Sequence, residues 1–247
     1  MSSSTRVTNP NQGGKSFLMV VGAIVVIVAI AIAFIIFNGR ANRTDYIGQW
    51  ESKDFPTPIT LSADNHTVEF MSDKADETTP HAVIYEDFMC PHCATLATED
   101  MDAMAEAVAA GDLKVTVAPL GFMDQHRDPN NVTGTSHQAL AASLAALHSG
   151  DSNLYWNLRA VVFKNQAKVH NTWNKEEFAS AAEELGADKS VVEDIRAGKY
   201  LAEAAEMAKT NAKVLKDQTG EVSSPRVFIN GTEVQPDPDW VQKYRRS

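Results

Sequence analysis

Hydrophobic and polar positions divide the chain into stretches of different character. From Phe17 to Phe37 (FLMVVGAIVVIVAIAIAFIIF) 21 residues pass without a charge. At ~1.5 Å of helical rise per residue the run spans ~30 Å, the hydrocarbon thickness of a bilayer. Nothing else in the chain is comparably apolar on all sides, so the pattern predicts one transmembrane helix. A secretory signal core is shorter, about 7–15 residues, and small residues should follow it. Gly39-Arg40-Ala41, with an Arg inside it, suits cleavage badly. The run therefore predicts an uncleaved single-pass anchor over 17–37, preceded by a short tail over 1–16.

Residues 38–64 are polar, with Gly39, Gly48, Pro56 and Pro58, and read as a juxtamembrane linker. A folded domain is expected over 65–247. Thr67–Phe70 alternates as a short strand, and Ala82–Tyr85 is a buried-strand run leading straight to Cys90. Cys93–Ala110 is rich in Ala, Met and Glu, and Gly111-Asp112 stops it as a helix. Leu113–Leu120 (LKVTVAPL) alternates again, completing a β–α–β unit. From Asn130 to Ser224 there is no proline, and apolar residues recur at helical spacing: Leu140, Leu144, Leu147; Phe178, Ala182, Leu185; Leu201, Ala205, Ala208, Ala212, Leu215. Gly150, Gly186, Gly198 and Gly220 punctuate this stretch. Asn174 with Glu177, and Asp188, supply helix starts. The expectation is a helical block of four or five helices over about 130–220. Arg226–Ile229, Asn230-Gly231 and Thr232–Val234 read as a hairpin with a type I′ turn, and a last short helix is expected from Asp239 to Arg245. The architecture is thus α/β.

Charge narrows the function. The chain carries 22 basic and 32 acidic residues, a net −10, with no basic tail or stripe, which excludes nucleic acid as the partner. Residues 1–37 hold Arg6 and Lys15 and no acid. Residues 38–247 therefore hold 20 basic and 32 acidic side chains, a net −12. Such a domain is repelled by anionic headgroups and should stand off the membrane. Arg6 and Lys15 on one side of the anchor balance Arg40 and Arg43 on the other, so charge counting leaves its orientation open.

The two cysteines, Cys90 and Cys93, exclude a disulfide framework and a four-cysteine zinc site. In Cys90-Pro91-His92-Cys93 two thiols sit three positions apart at the head of a helix. There the free N–H groups and the dipole favour negative sulfur on the first. His92 would add a donor or a cation beside it. A stabilised dithiol makes the corresponding disulfide a stronger oxidant. Alternatives stand beside this redox reading. His81, His126 or His137 could complete a zinc site, or the pair could form a structural disulfide, although so small a ring constrains little chain entropy. Ser224-Pro225 precedes the 226–229 strand. Pro225 either starts that strand, where its missing N–H costs nothing, or is a cis proline packed against the cysteines.

YEDFMCPHC, a helical block, and SSPRVFING followed by EV resemble the DsbA-like branch of the thioredoxin superfamily over residues 65–246. An anchor in place of a cleaved signal is similar to the membrane-bound DsbA-like enzymes of actinobacteria, the MdbA type. The resemblance implies a thioredoxin fold with an inserted helical block. It implies Cys90 as exposed nucleophile, Cys93 as resolving thiol and Pro225 as cis proline, with Pro91, His92 and Ser224 around them. The Cys90–Cys93 disulfide would be the redox group, with no cofactor or metal. Partners would be unfolded exported proteins with free cysteines and a quinone-linked membrane reoxidant of the DsbB or VKOR type. An oxidase needs an oxidising compartment, which would put the N-terminus in the cytoplasm and the catalytic domain outside. Two positions depart from the family pattern. Ile84 stands where many members carry a buried acid, leaving Glu86, or Asp87, as candidate proton acceptor for Cys93. Ser224 stands where Thr or Val is common. The competing functions are a membrane-tethered reductase or isomerase of the same fold, and a non-catalytic Cys/His metal-binding module. The Asn-x-Thr sequons at Asn42, Asn65, Asn131 and Asn230 are taken as chance, and no dimerisation segment is evident, so a monomer is expected.

Overall fold

The computed structural model describes residues 13–41, 43–62, 66–126 and 128–246, and the chain divides into two units at residue 43. The expected tail over 1–16 lies largely outside the described residues, as do Asn42 and Asn65. The first unit is helix α1, Gly13–Ala41. Its segment Phe17–Ile35 is long and apolar enough to cross a membrane, with mean hydropathy 3.3 and none of it buried within the protein.

The second unit begins at Thr44, which revises the expected linker. Residues 44–62 are built into the domain. A 3-10 turn at Asp45–Gln49 buries Ile47, and Phe55 packs between Phe70 and Trp156 with ring centroids 5.5 and 4.5 Å away. Strand β1, Ile59–Ser62, then opens the sheet. The strap has no repeating pattern because single residues anchor it. Its backbone is satisfied instead by side chains of helix α4 (Ser152–Lys164). Asn157 accepts from Lys53 N at 2.9 Å and donates to Lys53 O at 2.8 Å, while Asn153 accepts from Phe55 N and Ser152 from Ile59 N. A polar helix face here does the work of a neighbouring strand.

The sheet continues with β2 (Thr67–Phe70), β3 (His81–Glu86), β4 (Lys114–Pro119), β5 (Arg226–Ile229) and β6 (Thr232–Val234) in the order β1-β2-β4-β3-β5-β6. Only β3 and β4 run parallel, with Ile84 opposite Val117 and Glu86 opposite Pro119. The crossover between them is α2, Pro91–Ala110, which buries Met101, Met104 and Val108. Gly111, at φ +79, ends α2 where a Cβ would meet the Lys74 backbone at 2.8 Å. Asn230 and Gly231 both take positive φ, 48° and 81°, giving the two-residue turn between β5 and β6.

Between β4 and β5 lie α3 (Thr135–His148), α4, α5 (Gln166–Val169), α6 (Lys175–Glu184), α7 (Lys189–Ala197) and α8 (Leu201–Thr219). Six helices replace the expected four or five, because α5 is a single turn and α4 is buried on nearly every side, so it shows no stripe. Helix α3 is buried almost throughout, as an all-round apolar helix should be. The Asn174–Glu177 capping box is present at α6. The closing helix α9, Trp240–Tyr244, returns to α2, where Trp240 Nε1 donates to buried Asp100 at 2.7 Å.

Candidate functional site

The site grows out of the end of β3. After Glu86 the chain turns, with Cys90 N donating to Asp87 O at 3.0 Å and Met89 N to Asp87 Oδ1 at 2.9 Å. This side-chain turn delivers Cys90 to the N-cap of α2 and Pro91 to its first position, where a missing N–H costs nothing. Cys93 sits one turn in. Both thiols are free and almost fully covered, so the exposed Cys90 that the resemblance implies is corrected: the residue is only 4% exposed, with the Ser224 carbonyl set against its sulfur.

Their surroundings push the two sulfurs apart. The Cys90 pKa is lowered to about 5, chiefly by the Cys93 thiol that donates to it, helped by Ser224 and by the backbone N–H groups of Cys93 and His92, against the cost of burial. Cys93 is pushed well above the usual thiol value, first by burial and then by the negative Cys90 beside it. One sulfur is thus prepared to carry charge and the other to keep its proton. His92 contributes its N–H, while its ring, like Pro91, is exposed. The sequence expectation of a ring donor beside the sulfur is replaced by this backbone contact.

The second wall is the strand-preceding loop. The Ser224–Pro225 peptide bond is cis. The Cys90 thiol donates to Ser224 O at 3.3 Å, and Cys93 Sγ lies 3.2 Å from Ser224 Oγ. Residues more than 130 positions apart are brought together, with Ser224 touching both sulfurs.

The candidate acids separate. Ile84 is buried in the sheet. Glu86 points to α4, where its carboxylate takes two hydrogen bonds from the buried Arg159 and is committed to that ion pair. Asp87 is fully buried and its pKa is pushed up to about 7 by that burial, offset by bonds from Ser136 Oγ (2.6 Å), Met123 N and Met89 N, with Asp124 nearby. The Asp87 N–H is itself directed at the Cys93 sulfur. Arg159 and Ser136 were not singled out by sequence. The available signal for Arg159 was a lone cation inside the apolar run Leu154–Phe163, and for Ser136 there was none.

The histidines considered for zinc are placed elsewhere. His81 opens β3, at the opposite end from the cysteines, with Nε2 on Thr116 Oγ1. His137 is buried on Asp124, and His126 lies against the Phe122 ring. Among the described residues no three His, Cys, Asp or Glu side chains converge to hold a metal.

A thioredoxin family model matches residues 75–244. Among solved structures, MdbA, a thiol-disulfide oxidoreductase from Corynebacterium diphtheriae, is 33% identical over 81% of this chain and 99% of its own, with a TM-score of 0.74. MdbA from Corynebacterium matruchotii is 29% identical over 84% and 98%, with a TM-score of 0.72. DsbA from Mycobacterium tuberculosis, 19% identical over 72% and 92% with a TM-score of 0.55, shares the fold. No curated protein sequence matches significantly. With its thioredoxin sheet, its paired cysteines at the head of α2 and its likeness to MdbA over most of its length, the chain belongs to the DsbA-like thiol-disulfide oxidoreductases of the thioredoxin superfamily.

Proposed function

We propose that this protein is an extracytoplasmic disulfide oxidase that introduces disulfide bonds into exported proteins through Cys90 and Cys93. In the oxidised enzyme a substrate thiolate attacks Cys90 Sγ. An S–S bond to the substrate forms, the Cys90–Cys93 bond breaks, and Cys93 leaves as a thiolate that takes a proton. A second substrate thiolate then attacks the substrate sulfur of the mixed disulfide and expels Cys90 as a thiolate. The substrate loses two electrons and the enzyme holds them as a dithiol. In the reverse step Cys93 must give up its proton, and Asp87 is the acceptor we assign, because it is buried and titrates near neutrality whereas Glu86 is held by Arg159. The dithiol–disulfide pair is the sole redox group of this scheme.

The observation that carries the direction is Cys90 at the N-cap of α2, with the N–H groups of His92 and Cys93 aimed at its sulfur, which holds its pKa down to about 5. A dithiol stabilised as thiolate favours reduction of the enzyme, hence oxidation of the substrate. Oxidation belongs in an oxidising compartment. The helix over Phe17–Ile35 therefore serves as the anchor, with the N-terminus cytoplasmic and the domain outside as a monomer. Turnover then calls for a quinone-linked membrane reoxidant of the DsbB or VKOR type. The test is the reduction potential of the full-length chain in detergent micelles, equilibrated with glutathione. A value near the DsbA end of the scale, about −120 mV, supports the oxidase, and one near thioredoxin's, about −270 mV, sinks it.

A further inference from the structure

Gln166 lies in neither the cysteine motif nor the proline loop, yet it reaches the turn that carries the first cysteine. Its single amide nitrogen donates to Phe88 O at 2.8 Å and to Cys90 O at 2.9 Å. Those bonds are the last rung of a ladder. Arg159 holds Glu86, the Phe163 ring stacks on Phe88 with centroids 5.2 Å apart and 27° between planes, and Gln166 holds Phe88 O and Cys90 O. The helical side is spaced i, i+4, i+7 and the other side takes alternate residues, 86, 88 and 90. The helix breaks at Asn165 (φ −114°, ψ 20°), whose Nδ2 donates back to Val161 O, and buried Val169 anchors the following turn. Gln166 is thus presented from a fixed corner.

The Cys90 carbonyl already accepts Ala94 N at 3.1 Å, the first bond of α2, and Gln166 takes its remaining lone pair. Pro91 has no N–H, so the first backbone donors beyond Cys90 are those of His92 and Cys93, both directed at the Cys90 sulfur. Rotation of the Cys90–Pro91 peptide would turn those donors away. We propose that Gln166 is a positioning residue of the thiol–disulfide exchange: by holding the Cys90 carbonyl it keeps the first turn of α2 aimed at the Cys90 sulfur and so sets how readily that sulfur carries charge. The assignment rests on exchange at Cys90 and not on its direction.

The test compares Gln166→Met, which keeps the length and removes both donors, with Gln166→Glu, which turns an acceptor toward two carbonyls. Both are made in the full-length chain in detergent micelles. Thiolate absorbance against pH and the equilibrium with glutathione are read, with the thermal unfolding midpoint as the check on folding. In Gln166→Met the Cys90 titration should rise by about one pH unit. The equilibrium should shift about tenfold toward the disulfide form of the enzyme, ~30 mV more reducing. Gln166→Glu should move both further. Folded variants whose titration and equilibrium match the parent overturn the proposal, whatever happens to the unfolding midpoint. Should Gln166→Glu fail to fold, Gln166→Met decides alone. A parent chain that itself shows no acidic thiolate refutes the reading of the site, a result distinct from unchanged variants beside a parent that does.

Discussion

Arg159 grips Glu86 with two parallel hydrogen bonds, Nε to Oε1 at 2.8 Å and Nη2 to Oε2 at 2.6 Å, and both side chains are buried. The pair ties the helical insert to the last residue of β3, four residues before Cys90. Removing one partner leaves a buried charge alone, at a cost of about 3–5 kcal/mol, whereas replacing both with apolar groups of similar size is often neutral. Arg159→Met should therefore lose about that much in chemical denaturation, and Arg159→Met with Glu86→Leu should recover most of it. A loss below about 1 kcal/mol for the single change would show that the pair is not the junction described.

The acidic Cys90 links redox state to pH. Its folded-state pKa of about 5 lies below the free-thiol value of about 8.5, so the thiolate stabilises the reduced form fully above the latter and progressively less as pH falls toward the former. Cys93 also titrates only in the reduced form, but it is pushed well above the usual thiol value and keeps its proton in the folded state below about pH 8.5; the other groups are largely common to both forms, so below that pH the difference in unfolding free energy isolates the Cys90 contribution. That difference should narrow from about pH 8.5 down to about pH 5 and level off below. A pH-independent difference would contradict the thiolate.

Asp87 works in the opposite sense. Its carboxyl is raised to about 7 against about 3.9 unfolded, so the folded state holds a proton that the unfolded state has released, and stability falls as pH rises between those values. Asp87→Asn should abolish that slope. It should also cost about 1–3 kcal/mol, because the amide cannot accept from Met123 N, Met89 N and Ser136 Oγ together. If Asp87 takes the Cys93 proton, the rate at which Cys93 resolves a mixed disulfide loses its inflection near pH 7 in the same variant. A retained inflection assigns the proton elsewhere.

Ser224 touches both sulfurs, and its hydroxyl favours the thiolate at each. Ser224→Ala keeps the backbone and removes only the hydroxyl. The loss of about 0.5–1.5 kcal/mol from the dithiol should move the potential about 10–30 mV in the reducing direction, read by glutathione equilibration. An unmoved potential would reduce Ser224 to a packing residue.

The local elements were legible because each carries its own signal. The strand before Cys90, the helix after it, the Asn230-Gly231 turn and the Asn174–Glu177 cap are set by neighbours a few positions away. The strap over residues 44–62 was not, because Phe55 and Ile59 are single anchors whose partners on α4 lie about a hundred residues on, and the turn that buries Ile47 packs against α6, further still. For the site, the residue types and their order pointed to Cys90, Cys93 and Pro225.

What the sequence determined alone is the membrane-length helix, the placing of two thiols at a helix head and the kind of chemistry that placing permits. What only the tertiary structure decided is which groups set the energies of those thiols. Glu86 and Asp87 are adjacent in the chain, but Glu86 closes β3 and Asp87 opens the turn to Cys90, so one side chain meets Arg159 and the other Ser136. A carboxylate's role depends on the charge and burial it meets, and those come from helices folded back across more than forty residues of chain.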